Sequence, residues 1–235
     1  MELARLDSIV LKRIKFGDTS LIATLFSREI GKLSVIAKGA RAARSKRGLA
    51  SALEPLNRIE AIVYIKPSRS LQMLSAADII DDAAKIKCDY DKLMAGLAAL
   101  SAVDRLVVGV GPSEKIWKSM LLIYRRLEGC EPAEAKGIVL QFRATLLSAI
   151  GFAPIVDRCA ICGKPVAAPG AVFSTSEGGL LCRDCARSGI KLDGDEIDLI
   201  ERLFGMEGQE MRMAIPKDKL AKLDAIMDTH ESYHT

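Results

Sequence analysis

Four cysteines stand in two pairs of identical spacing, and they are the residues of this sequence best suited to bind a metal ion. RCAICG at 158–163 and LCRDCA at 181–186 each hold two cysteines two residues apart, and 19 residues lie between the pairs. Each such turn can direct two thiolates to one point, so two turns complete a tetrahedron around zinc. The spacing therefore predicts one structural Zn²⁺, without an open position for water, held by Cys159, Cys162, Cys182 and Cys185.

The residues between the two pairs indicate how the metal site is built. Glycines at 170, 178 and 179 surround the apolar runs at 171–173 and 180–181, a pattern typical of the short hairpin of a zinc ribbon. Residues 156–190 carry a net charge of +1, which four thiolates and one divalent ion would change to −1. Fingers that bind nucleic acid are normally basic, so we expect a structural staple. The alternatives are two redox-active dithiols or four buried free cysteines.

A second pattern matches a catalytic motif. His230-Glu231-Ser232-Tyr233-His234 has the HExxH spacing of zinc peptidases, in which two histidines bind the metal and the glutamate acts as general base. Only Thr235 follows, so no third ligand is expected, and a chain end is expected to fray. The sequence also lacks a GxxxxGK[ST] phosphate loop and an HxE…PCxxC deaminase signature. We therefore expect a protein that is not an enzyme and has no small-molecule substrate.

Positive charge is concentrated near the amino terminus. Residues 1–80 hold 14 Lys and Arg against 7 Asp and Glu, whereas residues 191–235 hold 6 against 11. Between Ile30 and Leu53 every charged residue is positive, and KGARAARSKRG has the composition of a mobile loop. This asymmetry predicts a polyanionic partner for the first 80 residues. The alternative is a solvated loop whose charge only aids solubility.

Contacts with phosphates are expected to dominate binding of that partner. Phe16, Phe26 and Tyr64 are the only aromatic residues in the first 80, so base stacking is expected to add little. The predicted DNA-binding residues are Lys12, Arg13, Lys15, Lys32, Lys38, Arg41, Arg44, Lys46 and Arg47.

The elements that would position these residues follow from periodicity and turn signals. Short runs rich in Val, Ile and Leu predict strands near 8–12, 19–27, 32–37, 58–66 and 71–76, and five short strands suit a small barrel such as an OB-fold. Helical spacing begins at residue 89, and the segment 138–150 has Arg143 as its only charged residue, which predicts a central helix. Short helices are expected near 195–204 and 217–228.

The resulting fold class is α+β and multi-domain. We expect an N-terminal OB-fold β-barrel at 1–80, a central α-helical domain at 81–155, an inserted four-cysteine zinc ribbon at 156–190 and C-terminal helices at 191–235 that pack with the helical domain. No run of about 18 apolar residues is present, and the N-terminus has no leader-like apolar segment. Two lone cysteines, Cys88 and Cys130, are expected to pack as small core residues in a reducing compartment. A cytoplasmic, nucleoid-associated protein is the simplest interpretation.

Three segments together resemble the RecO family of bacterial recombination mediators. They are IVLKRIKFGDTSLIATLFSREIGKLSVIAKGARAARSKRG, LQMLSAADII and FRATLLSAIGFAPIVDRCAICG, and the last, a buried helix that leads through LLxxxGxxP into the first CxxC, is the most specific. The resemblance extends over nearly the whole chain. It implies an OB domain, a helical domain and an inserted zinc ribbon.

The resemblance also implies a function and partners. Such a protein would bind single- and double-stranded DNA and anneal complementary strands covered by single-stranded-DNA-binding protein. With RecR it would help load RecA, and it would need no ATP. The acidic tail of single-stranded-DNA-binding protein would dock on the helical domain, where Arg125, Arg126 and Arg143 are candidates, although salt bridges at the edge of the core are an alternative role for them. A different interpretation of the same features is a zinc-ribbon OB-fold factor that binds RNA in translation or on the ribosome.

Overall fold

The chain forms two units in the computed structural model, Met1–Pro132 and Ala133–Thr235. The structure describes residues 2–42, 48–109, 111–205 and 213–233. The helical segment expected at 81–155 is divided between the two units, because the boundary between them falls near residue 132. The finer division into four parts stays a prediction.

Five strands of the first unit close into a barrel in the order β1-β2-β3-β5-β4. The strands are β1 (Glu2–Phe16), β2 (Ser20–Ser27), β3 (Gly31–Ala37), β4 (Arg58–Ile65) and β5 (Leu71–Asp81). The long β1 closes the barrel because its first half pairs with β4 and its second half with β2, both antiparallel. β3 and β5 pair in parallel. All five strands expected from the sequence are present, but β1 and β5 are longer than expected.

Alternation along each strand separates an inner from an outer face of the barrel. Val10 and Leu25 pair directly and belong to the buried cluster inside the barrel. Their neighbours Ile9 and Phe26 also pair with each other, face outward and are fully buried. Helix α3 (Tyr90–Leu106) contacts β1, so helices cover this part of the outer face.

The two long helices of the first unit begin at polar caps. The Asp89 carboxylate accepts from Lys92 N–H to cap α3, and Ser113 Oγ accepts from Ile116 N–H to cap α4 (Glu114–Gly129). Two short helices, α1 (Leu49–Ala52) and α2 (Ala84–Lys87), were not expected from the sequence.

The buried side of α3 combines large and small residues, since Leu100 and Val103 are buried together with three small residues. Ala95, Gly96 and Ala99 are buried, whereas Leu93 and Leu97 are only half-buried. A Cβ on Gly96 would lie 2.9 Å from Leu56 Cδ2, so the glycine permits this close approach. Cys88 is exposed and Cys130 half-buried, so the expectation that both are core residues is wrong for Cys88.

In its described residues, the second unit combines three α-helices with a small sheet. Its elements are α5 (Ala135–Ile150), α6 (Gly194–Gly205), α7 (Lys217–Tyr233) and the strands β6 (Val172–Ser174), β7 (Gly179–Leu181) and β8 (Ile190–Lys191), in the sheet order β7-β6-β8. Helix α5 is buried over most of its length and contacts both α6 and α7, which confirms its expected central place. Asp193 and Glu196 exchange side-chain-to-backbone hydrogen bonds at 2.9 Å, a capping box that begins α6.

Candidate metal centre and nucleic-acid interface

The four cysteines of the second unit lie on two tight turns beside the small sheet. In the first turn, Gly163 N–H donates to Cys159 O at 2.9 Å, and in the second Ala186 N–H donates to Cys182 O at the same distance. Cys182 follows β7 directly, so the sheet sets its position. A further hydrogen bond of 2.8 Å joins Ala160 N–H to Leu180 O and holds the first turn against β7.

The sulfur atoms of Cys159, Cys162, Cys182 and Cys185 all lie within 4.8 Å of one another. Cys162 Sγ and Cys182 Sγ are 3.7 Å apart, far beyond the roughly 2.05 Å of a disulfide bond. A tetrahedral site with metal–sulfur distances of about 2.3 Å has sulfur–sulfur edges of about 3.8 Å. The cluster therefore has the dimensions of a closed four-sulfur metal site.

Electrostatics in the cluster also favour a bound cation. Burial acts to raise the pKa of Cys159, but backbone N–H groups of Cys162, Cys182 and Ile161 donate to its sulfur and lower the pKa overall. The pKa of Cys185 is raised, because it shares a hydrogen bond with Cys162 and is desolvated. One sulfur thus favours the thiolate while a neighbour resists a second negative charge. A divalent ion that prefers soft ligands would remove this conflict and let all four act as thiolates.

Two residues of the HExxH pattern, His230 and Glu231, are buried and packed against other residues, so neither lines an open cleft. His230 is 2% exposed; its Nε2 lies 2.8 Å from Phe152 O, and its ring packs edge-on against Phe173. Glu231 is fully buried and accepts a hydrogen bond of 2.7 Å from Arg143 Nε. The expectation that this end frays is therefore wrong for residues 230–233, which continue α7. His234 lies outside the described residues.

Arg143 is the centre of a charge cluster that joins α5 to α7. Its Nη1 lies 2.6 Å from Asp224 Oδ1, and its Nη2 pairs with Asp228, in addition to the bond from Nε to Glu231. Burial acts to lower the pKa of Arg143, but the hydrogen bonds and charges of Glu231 and Asp228 outweigh it and raise the pKa. Arg143 therefore forms salt bridges within the fold, which is the alternative to docking of the acidic tail that the sequence left open.

The other two candidates for tail docking lie in the first unit. Arg125 is exposed and Arg126 half-buried on α4, whereas Arg143 lies on α5 of the second unit. The three arginines are therefore divided between the units, and a role in docking stays a prediction.

Several of the cations predicted to bind DNA are paired within the first unit. Lys12 Nζ lies 2.6 Å from Asp104 Oδ2, and Lys32 Nζ lies 3.0 Å from Asp104 Oδ1. Burial acts to raise the pKa of Asp104, but the two lysines outweigh it and hold the pKa below its usual value. Arg13 Nη2 lies 3.2 Å from Glu54 Oε1. Sequence reasoning missed these pairs, because Asp104 and Glu54 are distant in the chain from the cations that they contact.

The remaining described cations, Arg41, Lys15 and Lys38, have different surroundings from these paired ones. Arg41 donates to Gly17 O at 2.7 Å, to Asp18 O at 2.9 Å and to Ser20 O at 3.3 Å, so carbonyl groups fix its guanidinium at the β1–β2 turn without neutralising it. Lys15 and Lys38 are exposed, and no carboxylate among the described residues pairs with either. The other three predicted DNA-binding residues, Arg44, Lys46 and Arg47, lie outside the described residues.

The fold and the cysteine cluster define a class of protein in which a five-stranded barrel carries positive charge and a second unit holds a four-sulfur site. Comparison with known proteins identifies the family within this class. The family model for the N terminal of recombination protein O matches residues 1–83, and the model for its C terminal matches residues 88–235. The chain therefore belongs to the RecO family.

Individual relatives agree with this assignment. The DNA repair protein RecO of Rubrobacter xylanophilus is 33% identical over 187 residues, which cover 79% of this chain and 72% of that protein. The DNA repair protein RecO of Anaeromyxobacter dehalogenans is 30% identical over 186 residues, with the same shares covered. That of Desulforamulus reducens is 26% identical over 239 residues and matches 100% of this chain and 90% of its own length. Among the described residues, no helix has both the length and the apolar character needed to cross a membrane.

Proposed function

We propose that this protein is a recombination mediator without catalytic activity. It binds single- and double-stranded DNA, anneals complementary strands and acts with RecR to load RecA on DNA coated by single-stranded-DNA-binding protein, in the cytoplasm at the nucleoid. The observation that carries this proposal is the match of both halves of the chain to the RecO family. Relatives named DNA repair protein RecO support it.

The barrel is the proposed DNA-binding domain, and its fold is an OB-fold. Its five strands in the order β1-β2-β3-β5-β4 support this assignment, because OB-folds are small five-stranded barrels that bind nucleic acids at the strand 2–3 face and adjoining loops. Arg41 lies at one end of this face, where it binds the carbonyl groups of the β1–β2 turn. Arg41, Lys15 and Lys38 bind phosphates, together with Arg44, Lys46 and Arg47. Lys12, Arg13 and Lys32 contribute positive potential that their acidic partners partly offset.

Zinc is the proposed metal of the second unit, in which the segment 156–190 forms a zinc ribbon. Four thiolate ligands suit Zn²⁺, and a closed set of protein ligands stabilises a fold without offering a site for substrate or water. The bound ion would supply folding free energy to the turns that carry Cys159, Cys162, Cys182 and Cys185. The acidic tail of single-stranded-DNA-binding protein is proposed to dock near Arg125 and Arg126 on α4.

An annealing assay tests the mediator function. Two complementary DNA strands are each coated with the cognate single-stranded-DNA-binding protein, and duplex formation is followed by fluorescence with and without this protein. We expect faster annealing without ATP, and a smaller effect when the acidic tail of the coating protein is removed. Complementary structured RNA strands serve as the comparison substrate. Annealing of RNA but not of DNA would contradict the proposal and favour an RNA-binding factor.

A further inference from the structure

The outer face of the barrel has a covered part and an open part, and the boundary between them lies at Asp104. Lys12 on β1 and Lys32 on β3 both reach Asp104 near the end of α3. On the covered side, Phe26 is fully buried. Beyond the boundary, Ile14 is 57% exposed and Phe16 is 51% exposed on the same outward face of β1.

The strand register makes the open part a continuous apolar row. Ile14 pairs with Ile22 of β2, and Ile22 pairs with Ile36 of β3. Residues directly opposite each other in neighbouring strands project from the same face of a sheet. Ile22 and Ile36 are half-buried, and Phe16 lies at the end of the row beside the β1–β2 turn. Within the described residues of the first unit, the row is therefore a partly exposed apolar surface that ends in an aromatic ring.

Charge around this surface indicates what binds it. Arg41 binds the carbonyl groups of the turn that follows Phe16. Lys15 alternates to the opposite face of β1, but it is exposed at the same end of the strand. Lys38 follows β3, whose last residue pairs with β2 next to the same turn. Asp18 is an acidic residue in this turn, and Arg41 donates a hydrogen bond to its backbone carbonyl oxygen. An apolar row with cations near one end is complementary to a polyanion that also carries flat apolar groups, as a single-stranded nucleic acid does.

We propose that Phe16 stacks on an unpaired base of single-stranded nucleic acid, and that Ile14 extends this platform, so that the open face selects single strands over duplex. This inference rests on the proposed DNA binding and adds a source of strand preference to it. It revises the expectation that base stacking adds little, because the ring of Phe16 is half exposed beside an apolar row. Base stacking on aromatic side chains does not depend on sequence, because every base has a flat face. In a duplex those faces are stacked on each other and are inaccessible to Phe16.

The test measures binding of three DNA substrates by fluorescence anisotropy. They are a single strand, the same strand with abasic sites in place of its bases, and a duplex of equal length. Binding of the single strand is also measured at several salt concentrations. Phe16→Ala is expected to weaken single-strand binding about 5- to 100-fold, the range of one lost stacked base. Binding of the abasic strand and of the duplex should stay unchanged. The salt slope should also stay unchanged, because no phosphate contact is lost.

Two further variants make the result specific to stacking. Phe16→Trp retains an aromatic face and should bind the single strand at least as tightly as the wild-type protein. Leu3→Ala removes an apolar side chain of the same 57% exposure as Ile14 from the β4-paired half of β1, and it should bind all substrates normally. Thermal stability should not change in Phe16→Ala, since the ring is half exposed.

The outcomes separate this inference from the proposed function. If the wild-type protein does not bind DNA, the proposed function fails. If it binds and anneals DNA while Phe16→Ala behaves as wild type, only the stacking platform is overturned. Equal losses on abasic strand, duplex and single strand would also overturn it. A change in sedimentation of Phe16→Ala with normal DNA binding would instead assign this face to a second copy of the chain.

Discussion

Two arginines in the two units of this protein are both held by several hydrogen bonds, yet their partners give them different roles. Arg143 in the second unit is bound by three carboxylates, and its side chain is 9% exposed. Arg41 in the first unit is bound by three carbonyl oxygens at a turn. Carboxylates neutralise a guanidinium, whereas carbonyl groups orient it and leave its charge available. The surroundings of a charged residue therefore decide whether it stabilises the fold or attracts a ligand.

The same contrast holds for the units as a whole. Residues 1–132 hold 22 Lys and Arg against 15 Asp and Glu, whereas residues 133–235 hold 12 against 15. In the second unit, the reactive side chains contact one another. Glu231 of the HExxH pattern accepts a hydrogen bond from Arg143, and the four cysteines form one cluster. We infer that the charged side chains and cysteines of the second unit stabilise its fold, whereas the exposed cations of the first unit bind DNA.

The largest effect is expected from loss of the metal. Purified protein should contain one zinc per chain by elemental analysis, and Cys159→Ser or Cys185→Ser should lower zinc content and unfold or aggregate the second unit. The reason is that binding free energy at closed thiolate sites is folding free energy, of order 10 kcal/mol for isolated zinc fingers. Cys88→Ser, which changes an exposed cysteine outside the cluster, is the control and should behave as wild type. A well-folded protein that lacks zinc would contradict this prediction.

The next largest effect concerns the buried ion pair. Glu231→Ala should lower the free energy of unfolding by about 1.5–3 kcal/mol in urea titrations, because it removes a buried charge-assisted hydrogen bond to Arg143, which keeps Asp224 and Asp228 as partners. Asp228→Asn is the control: this carboxylate contacts the same guanidinium, but its side chain is 65% exposed, so a loss below about 1 kcal/mol is expected.

Replacing both partners distinguishes an ion pair from simple packing. The double variant Arg143→Met with Glu231→Leu should recover much of the stability lost in Glu231→Ala, since an apolar pair fills the space of the two side chains and leaves no buried charge. Equal losses for Glu231→Ala and Asp228→Asn would show that burial of Glu231 has no special importance.

A smaller effect is expected at the boundary of the covered barrel face. Asp104→Asn should lower the free energy of unfolding by about 1 kcal/mol at neutral pH, because Lys12 and Lys32 lose their shared partner. Since the folded-state pKa of Asp104 is depressed, its contribution is fully present above the unfolded pKa of about 3.9 and is lost as pH falls through the folded pKa. The stability difference between wild type and Asp104→Asn, measured by denaturation from pH 7 to pH 2.5, should therefore disappear at the acid end. A difference that persists there would contradict the ion pairs.

The sequence predicted most of the strands and the clustering of the four cysteines, because both depend on local spacing. The CxxC pairs identified all four members of the cluster, and the five strands were found from runs of branched residues between turns. The sequence did not reveal that β1 begins at Glu2, because that half of the strand is held by β4, about 60 residues away. Nor did it reveal that Lys12 and Lys32 share Asp104. Such pairs are set by tertiary packing, which spacing along the chain does not encode.

The contrast between the two units requires that DNA binds to the cations of the first unit. The salt dependence of DNA binding, compared between wild type and a variant that lacks some of these cations, tests this directly. If about six phosphates of a single strand are neutralised, log K for wild type should fall with log salt at a slope near −4. Changing Arg41, Arg44, Lys46 and Arg47 together to Ala removes up to four contacts and should flatten the slope to about −1 or −2, equally for unrelated DNA sequences. Annealing should fall in parallel, with little change in thermal stability. An unchanged slope with normal annealing would place the DNA surface elsewhere and contradict the assignment of DNA binding to this end of the barrel.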